Sequence, residues 1–98
     1  MFLVRRIEGV SMLPGLRPGQ VVFAWRRPAR IYPGDVLIIR HDGMEKIKRA
    51  ARVEQARVFV VGDNLVMSTD SRHFGWIARE QVLGKVCWPL AGRAPPFL

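Results

Sequence analysis

The chain has little of what usually identifies a small protein. Its 98 residues include one cysteine, Cys87, which excludes an internal disulfide and agrees with a reducing compartment. Two histidines, His41 and His73, add no recognisable metal-ligand spacing, and no cofactor is expected. No apolar run approaches the roughly 20 residues of a membrane span. The apolar start Met1-Phe2-Leu3-Val4 is interrupted by Arg5-Arg6, far short of a signal-peptide core. These absences lead to the expectation of a cytoplasmic protein, soluble or at most peripheral to a membrane, with no transmembrane anchor. Acidic side chains are also scarce: 8 stand against 16 basic ones, a formal charge of +8. Such a charge calls for an acidic partner, whether nucleic acid, an anionic membrane surface or an acidic protein substrate, although a solvated basic surface accounts for it as well.

What the chain does have is frequent turns. Pro14-Gly15, Pro18-Gly19, Pro33-Gly34, Asp42-Gly43 and Gly62-Asp63-Asn64 punctuate it at short intervals. The β-rich runs between them predict strands over 4–8, 20–25, 35–40, 45–52, 57–61 and 83–88, with one short helical turn over 78–82. No long helical periodicity appears. The expectation is an all-β fold, a small barrel-like or folded antiparallel sheet, forming one domain over 1–90. Residues 91–98, with Pro95-Pro96, form a loose tail. Asp42-Gly43 suits the positive φ of a tight hairpin between the third and fourth strands.

Three stretches carry candidate chemistry. Ser11 stands where an apolar strand runs into Met12-Leu13-Pro14-Gly15, rigidly held and accessible, as a nucleophilic or a merely turn-capping serine would be. In 44–52, alternation sets Met44, Lys46, Lys48 and Ala50 on one face and Glu45, Ile47, Arg49 and Ala51 on the other. Either lysine could serve a site, or both could extend into water. Finally, Gly62-Asp63-Asn64 opens a polar segment, Ser68-Thr69-Asp70-Ser71-Arg72-His73, between Met67 and Phe74. Asp70 and Arg72 can pair there and the serines can bond backbone, which describes an ordered loop with or without chemistry.

Taken together and in order, these stretches resemble the conserved boxes of the signal peptidase I-like (S26) serine peptidases, which work with a Ser/Lys dyad. Ser11-Met12-Leu13-Pro14-Gly15-Leu16 is similar to their Ser-Met-x-Pro-Thr-Leu box and Pro33-Gly34-Asp35-Val36-Leu37-Ile38 to their Gly-Asp-hydrophobic strand. Ile47-Lys48-Arg49 resembles the Lys-Arg box. The run from Gly62-Asp63-Asn64 to Ser71-Arg72-His73-Phe74-Gly75 resembles the Gly-Asp-Asn…Ser-x-Asp-Ser-Arg-x-x-Gly box, and Gly84-Lys85-Val86 the closing strand. The resemblance implies the all-β catalytic core shared with the repressor-type peptidases. It implies Ser11 as nucleophile and Lys48 as general base, the following arginine choosing Lys48 over Lys46. It further implies that Ser68 orients the lysine, that Asp70 and Arg72 form a supporting ion pair, and that Asp63 and Asn64 shape the loop. The Ser11 N–H would be one oxyanion donor, and Gly9, Val10, Met12 and Pro14 would border the substrate.

The residue types suit those roles. A serine needs a base to take its proton, and a lysine can act only when neutral, against an ordinary pKa near about 10.4. Burial and neighbouring cations disfavour the ammonium; Lys46 and Arg49 flank it, and Met12, Met67 and Phe74 are candidates for a desolvating wall. The sequence also departs from the family. Gly15 replaces the threonine of the first box. Gly9 stands where some members carry a second serine. Ala50-Ala51-Arg52-Val53-Glu54-Gln55 replaces a Gly-Leu-Pro-Gly-Asp turn, and an anchor before the serine is not seen. The compact boxes resemble those of the short anchor-less members, the group containing the peptidase that trims the leader of nickel-type superoxide dismutase. The resemblance implies a serine endopeptidase that removes an N-terminal leader or propeptide from a protein substrate bound in extended form. The alternative is a non-catalytic basic β-barrel that binds nucleic acid or another acidic partner, with Trp25, Trp76 and Phe74 for stacking; nucleic acid is the less favoured partner. Contact with a membrane surface through Trp25, Trp88, Phe97 and Leu98 stays open, beside the plainer reading that the tryptophans pack internally. A Ser-His-Asp triad through His73 or His41 is the poorer catalytic option.

Overall fold

Seven strands form one antiparallel sheet in a computed structural model that describes residues 1–89. They are β1 (Phe2–Arg6), β2 (Val21–Arg26), β3 (Val36–His41), β4 (Met44–Val53), β5 (Arg57–Val61), β6 (Ile77–Ala78) and β7 (Val82–Trp88). The spatial order is β1-β2-β7-β3-β4-β5-β6. The six predicted strands are all present, with ends shifted by at most two residues. The helical turn expected over 78–82 is a 3₁₀ turn, Arg79–Gln81. The expected tail over 91–98, with Phe97 and Leu98, lies outside the described residues. Among the described residues no helix is long and apolar enough to cross a membrane.

The chain is all-β, as the turn spacing indicated, but the sheet does not close into a barrel: β1 and β6 are its two unpaired edges. Closure needs a long strand at each edge, and β6 has two residues. The sheet nevertheless coils so far that Arg5 on β1 reaches Glu45 on β4, although three strands separate them in the order. The Asp42-Gly43 hairpin joins β3 and β4 with two residues, both at positive φ (53° and 75°), as a tight turn in a right-twisted sheet demands.

Two apolar clusters hold this shape. One packs Ile31, Leu37, Ile39, Ala50, Val58, Val60, Ile77 and Val82 between the middle strands. The other joins Ile7, Met12, Leu16, Val22 and Val36. Met12 and Leu16, 2 % and 1 % exposed, belong to the loop after β1, so the second cluster pins that loop to the sheet. Each fully buried side chain of this size contributes about 1.5–3 kcal/mol. Trp25 and Trp88 are not core residues: both are exposed, Trp25 stacked on Phe2 and Trp88 tilted against Phe23. Trp76 is half-buried, edge-on to Phe59 and covered by the Arg57 guanidinium.

Candidate active site

Beyond β1 the chain must turn sharply, and Gly9 does so at a φ of 73°, a left-handed conformation that disfavours side chains. The serine that some relatives carry at this position would be strained here. Two residues on, Ser11 is half-buried on a turn anchored by the buried Met12. It lines a cavity of about 210 Å³ whose walls are the end of β1 with the two residues after it (Arg5 to Glu8) and the first half of β4 (Glu45 to Lys48). Lys48 is in the same cavity and only 5 % exposed. The fold thus brings Ser11 and Lys48 to one cleft from positions far apart in the chain.

Strand alternation decides which cations enter that cleft. Lys46 and Lys48 project to one face of β4; Arg49 projects to the other. Arg49 is 1 % exposed and bonds Asp63 through two parallel N–H···O contacts of 2.8 Å, while its third nitrogen donates to the Gly34 carbonyl at 2.8 Å. Arg49, expected from its place beside Lys48 to act on it as a cation, instead has its charge met by Asp63, and it ties β4 to the Gly62-Asp63-Asn64 turn. Burial is the largest influence on Lys48 and pushes its pKa down. Asp70 pulls it up, and the charges of Lys46 and Arg72 add to the depression.

Behind the lysine runs a chain of hydrogen bonds. The Lys48 ammonium donates to Ser68 Oγ at 3.0 Å, and the Ser68 hydroxyl donates to Asp70 Oδ2 at 2.7 Å. Asp70 is fully buried and also accepts from the Gly62 N–H (2.8 Å), the Arg72 N–H (3.1 Å) and the Arg72 guanidinium (2.9 Å). It caps the short helix α1 (Ser71–Phe74), in which His73 Nδ1 accepts from the Asp70 N–H at 3.2 Å. Sequence reasoning missed this helix because its single turn lies inside a segment rich in loop-forming residues. The Asp70-x-x-His73 spacing, from the N-cap to the third helical position, is the capping signal that could have found it. Ser71 is buried and accepts from the Val60 N–H at 2.9 Å, fastening α1 to β5.

Burial alone would raise the Asp70 pKa, but the bonds from Arg72, Ser68 and Gly62 outweigh it and hold it down at about 2. A carboxylate depressed in the folded state stabilises the fold above its unfolded pKa. That contribution disappears as pH falls from about 4 through about 2. Asp70→Ala is expected to cost about 3 kcal/mol, the sum of a lost cap and an unpaired buried Gly62 N–H, and to flatten the acid limb of a stability-versus-pH curve from chemical denaturation.

The loop and the serine segment are fastened directly. The Asn64 N–H donates to the Ser11 carbonyl at 2.8 Å and the Asn64 side chain donates to the Val10 carbonyl at 3.2 Å. Gly62 makes this approach feasible: a Cβ there would lie 2.2 Å from Ser68 Oγ and 2.6 Å from the Ser11 carbonyl oxygen. Of the residues expected around the substrate, Met12 lines the cavity, whereas Gly9 and Pro14 are exposed and Val10 half-buried beside it. Met67, considered for the desolvating wall, is 62 % exposed, and Phe74 stacks on His41 with the Lys46 ammonium 4.9 Å above its ring. Neither histidine lines the Ser11 cavity: His41 contacts Lys46 at 3.2 Å and His73 is engaged in the cap.

Comparison with known proteins gives the family of the chain. The family described as signal peptidase, peptidase S26 matches residues 39–91, more than half of the chain and inclusive of Lys48, Ser68, Asp70 and Arg72. The chain therefore belongs to the S26 signal peptidase family. It is 43 % identical to signal peptidase I of Bacillus caldolyticus over 49 residues, covering 47 % of this chain and 27 % of that protein. Mitochondrial inner membrane protease subunit 1 of Xenopus tropicalis is 38 % identical over 52 residues, covering 50 % of this chain and 31 % of the relative. The matches thus span about a third or less of these relatives.

Proposed function

We propose that the chain is a serine endopeptidase in which Ser11 attacks the scissile carbonyl and Lys48 is the general base. The observation that carries this reading is a lysine 5 % exposed, bonded to Ser68 Oγ at 3.0 Å, in the cavity that Ser11 lines. Ser68 gives its own proton to Asp70, so its oxygen accepts an N–H from the lysine. The neutral amine then keeps its lone pair free for the serine proton. As Ser11 Oγ bonds to the carbonyl carbon, its proton passes to Lys48. The Ser11 N–H is the proposed donor to the developing oxyanion. The ammonium then returns the proton to the leaving amine, and water, deprotonated by the same lysine, hydrolyses the acyl-serine.

The substrate would enter as an added strand. Residues 44–48 of β4 pair with β3 alone, since β5 begins its pairing at Arg49, and β1 pairs with β2 alone. Two free edges therefore flank the cavity, and an extended peptide can bond to either. The finer reading is removal of an N-terminal leader, with the nickel superoxide dismutase precursor as the candidate substrate by likeness of the compact boxes. Incubation of that precursor with the protein is expected to give one new N-terminus by mass spectrometry. Leader removal by Ser11→Ala at the wild-type rate would contradict the assignment.

A further inference from the structure

We propose that the cleft continues past the Arg5–Glu45 pair into a second, arginine-lined cavity that takes an acidic segment of the substrate polypeptide. This rests on the peptidase reading and adds a substrate class to it. The second cavity holds about 570 Å³. Arg5, Arg26, Arg27, Arg40 and Arg79 line it, opposed only by Glu45 and Glu80. Arg5 and Glu45 line both cavities, so the two share a wall.

The positive charge of this cavity is largely unanswered. Arg5 and Arg40 both turn to the one carboxylate of Glu45, at 2.6 and 3.6 Å. Arg79 donates to the carbonyls of Pro28 and Ala29, which orients its guanidinium without neutralising it. Arg26 and Arg27 make no ion pair among the described residues. Arg27 is moreover held at a φ of 50°, a conformation better suited to glycine, while its N–H donates to the Leu83 carbonyl at 2.9 Å. Carboxylates supplied from outside would meet these guanidiniums in bidentate geometry.

Continuity identifies the source of those carboxylates as the peptide itself. At about 3.3 Å per residue, Lys48 and Glu45 are roughly 10 Å apart along β4. A chain extended along that edge reaches the second cavity about three residues from the scissile bond. Acidic side chains from about three positions onward to one side of the cut are therefore the ones recognised.

The test uses fluorescein-labelled hexaglutamate, hexaserine and a six-nucleotide oligothymidylate in anisotropy titrations. Hexaglutamate is expected to bind at least about tenfold more tightly than hexaserine at low salt and to weaken as salt rises. The Arg26→Gln/Arg27→Gln double variant should lose about tenfold, whereas Arg17→Gln/Arg52→Gln, equal in charge but remote, and Ser11→Ala should lose little. Equal binding of hexaglutamate and hexaserine, or equal loss in both double variants, would overturn the site. So would tighter binding of the oligonucleotide with the same arginine dependence, which would make it a nucleic-acid site. Cleavage of a proteome-derived peptide library separates the two proposals. Cuts with acidic residues enriched at the stated distance support both. Cuts without that enrichment overturn the acidic subsite and leave the peptidase reading standing. Arginine-dependent hexaglutamate binding without any cleavage supports the site and overturns the peptidase reading.

Discussion

Replacing Lys48 with methionine is expected to lower kcat/KM by about 10⁴-fold or more while the protein stays folded, and Ser11→Ala to do the same. Methionine fills the volume of the lysine stem without its amine, and removing a buried ammonium leaves no new unpaired charge. The double variant should be no worse than either single one, because a nucleophile without its base and a base without its nucleophile are equally idle. In the wild type, activity should rise with pH along a one-proton limb, since only the neutral amine accepts the serine proton. Burial disfavours the ammonium, so the midpoint of that limb falls below the ordinary lysine value. The Lys46 charge contributes in the same direction, and Lys46→Gln should move the limb to higher pH. Stopped assays on a cleavable precursor between pH 6 and about 10.4 measure both effects. Additive losses in the double variant would show that the two residues do not act as a unit.

Gly62→Ala is expected to cost about 100-fold in kcat/KM, although the substitution adds only one methyl group. The added Cβ would meet Ser68 Oγ at 2.2 Å and the Ser11 carbonyl oxygen at 2.6 Å, separations that force one of them to move. Ser68 is the hydrogen-bond partner of the lysine, and the Ser11 carbonyl is held by the Asn64 N–H, so either movement separates nucleophile from base. Displacement by about 1 Å from productive geometry is worth about 10²-fold. The accompanying loss of stability, about 1–3 kcal/mol for an overpacked buried site, is read from denaturant melts. Wild-type activity in a destabilised Gly62→Ala protein would mean that this contact does not position the dyad.

Both predictions depend on long-range geometry that only part of the sequence foreshadowed. The strands were legible because Gly- and Pro-containing turns bound short β-rich runs, and strand ends moved little from the expected places. Lys48 was selected over Lys46 by likeness to the Lys-Arg box, not by periodicity, since both lysines share one face. Arg49 shows the limit of local reading. Beside Lys48 in sequence it looked like a repulsive neighbour, but alternation turns it to the opposite face, where the distant Asp63 meets it. The partner of a buried charge is set by strand pairing, which local pattern does not encode. The open sheet was illegible for the same reason, because closure depends on the length of β6, two residues hidden between a helical turn and a 3₁₀ turn. Gly62 carried a visible turn signal, but its role comes from the Ser68 side chain and the Ser11 carbonyl, which approach from elsewhere in the chain.

The account stands on Lys48 being a desolvated amine, its pKa pushed down by burial, held against Ser68. NMR titration of the lysine side-chain nitrogens, with Lys48 assigned by comparison with Lys48→Met, measures this directly. The expected result is Lys48 titrating below the ordinary lysine value. A Lys48 that titrates near about 10.4 would contradict the proposed base.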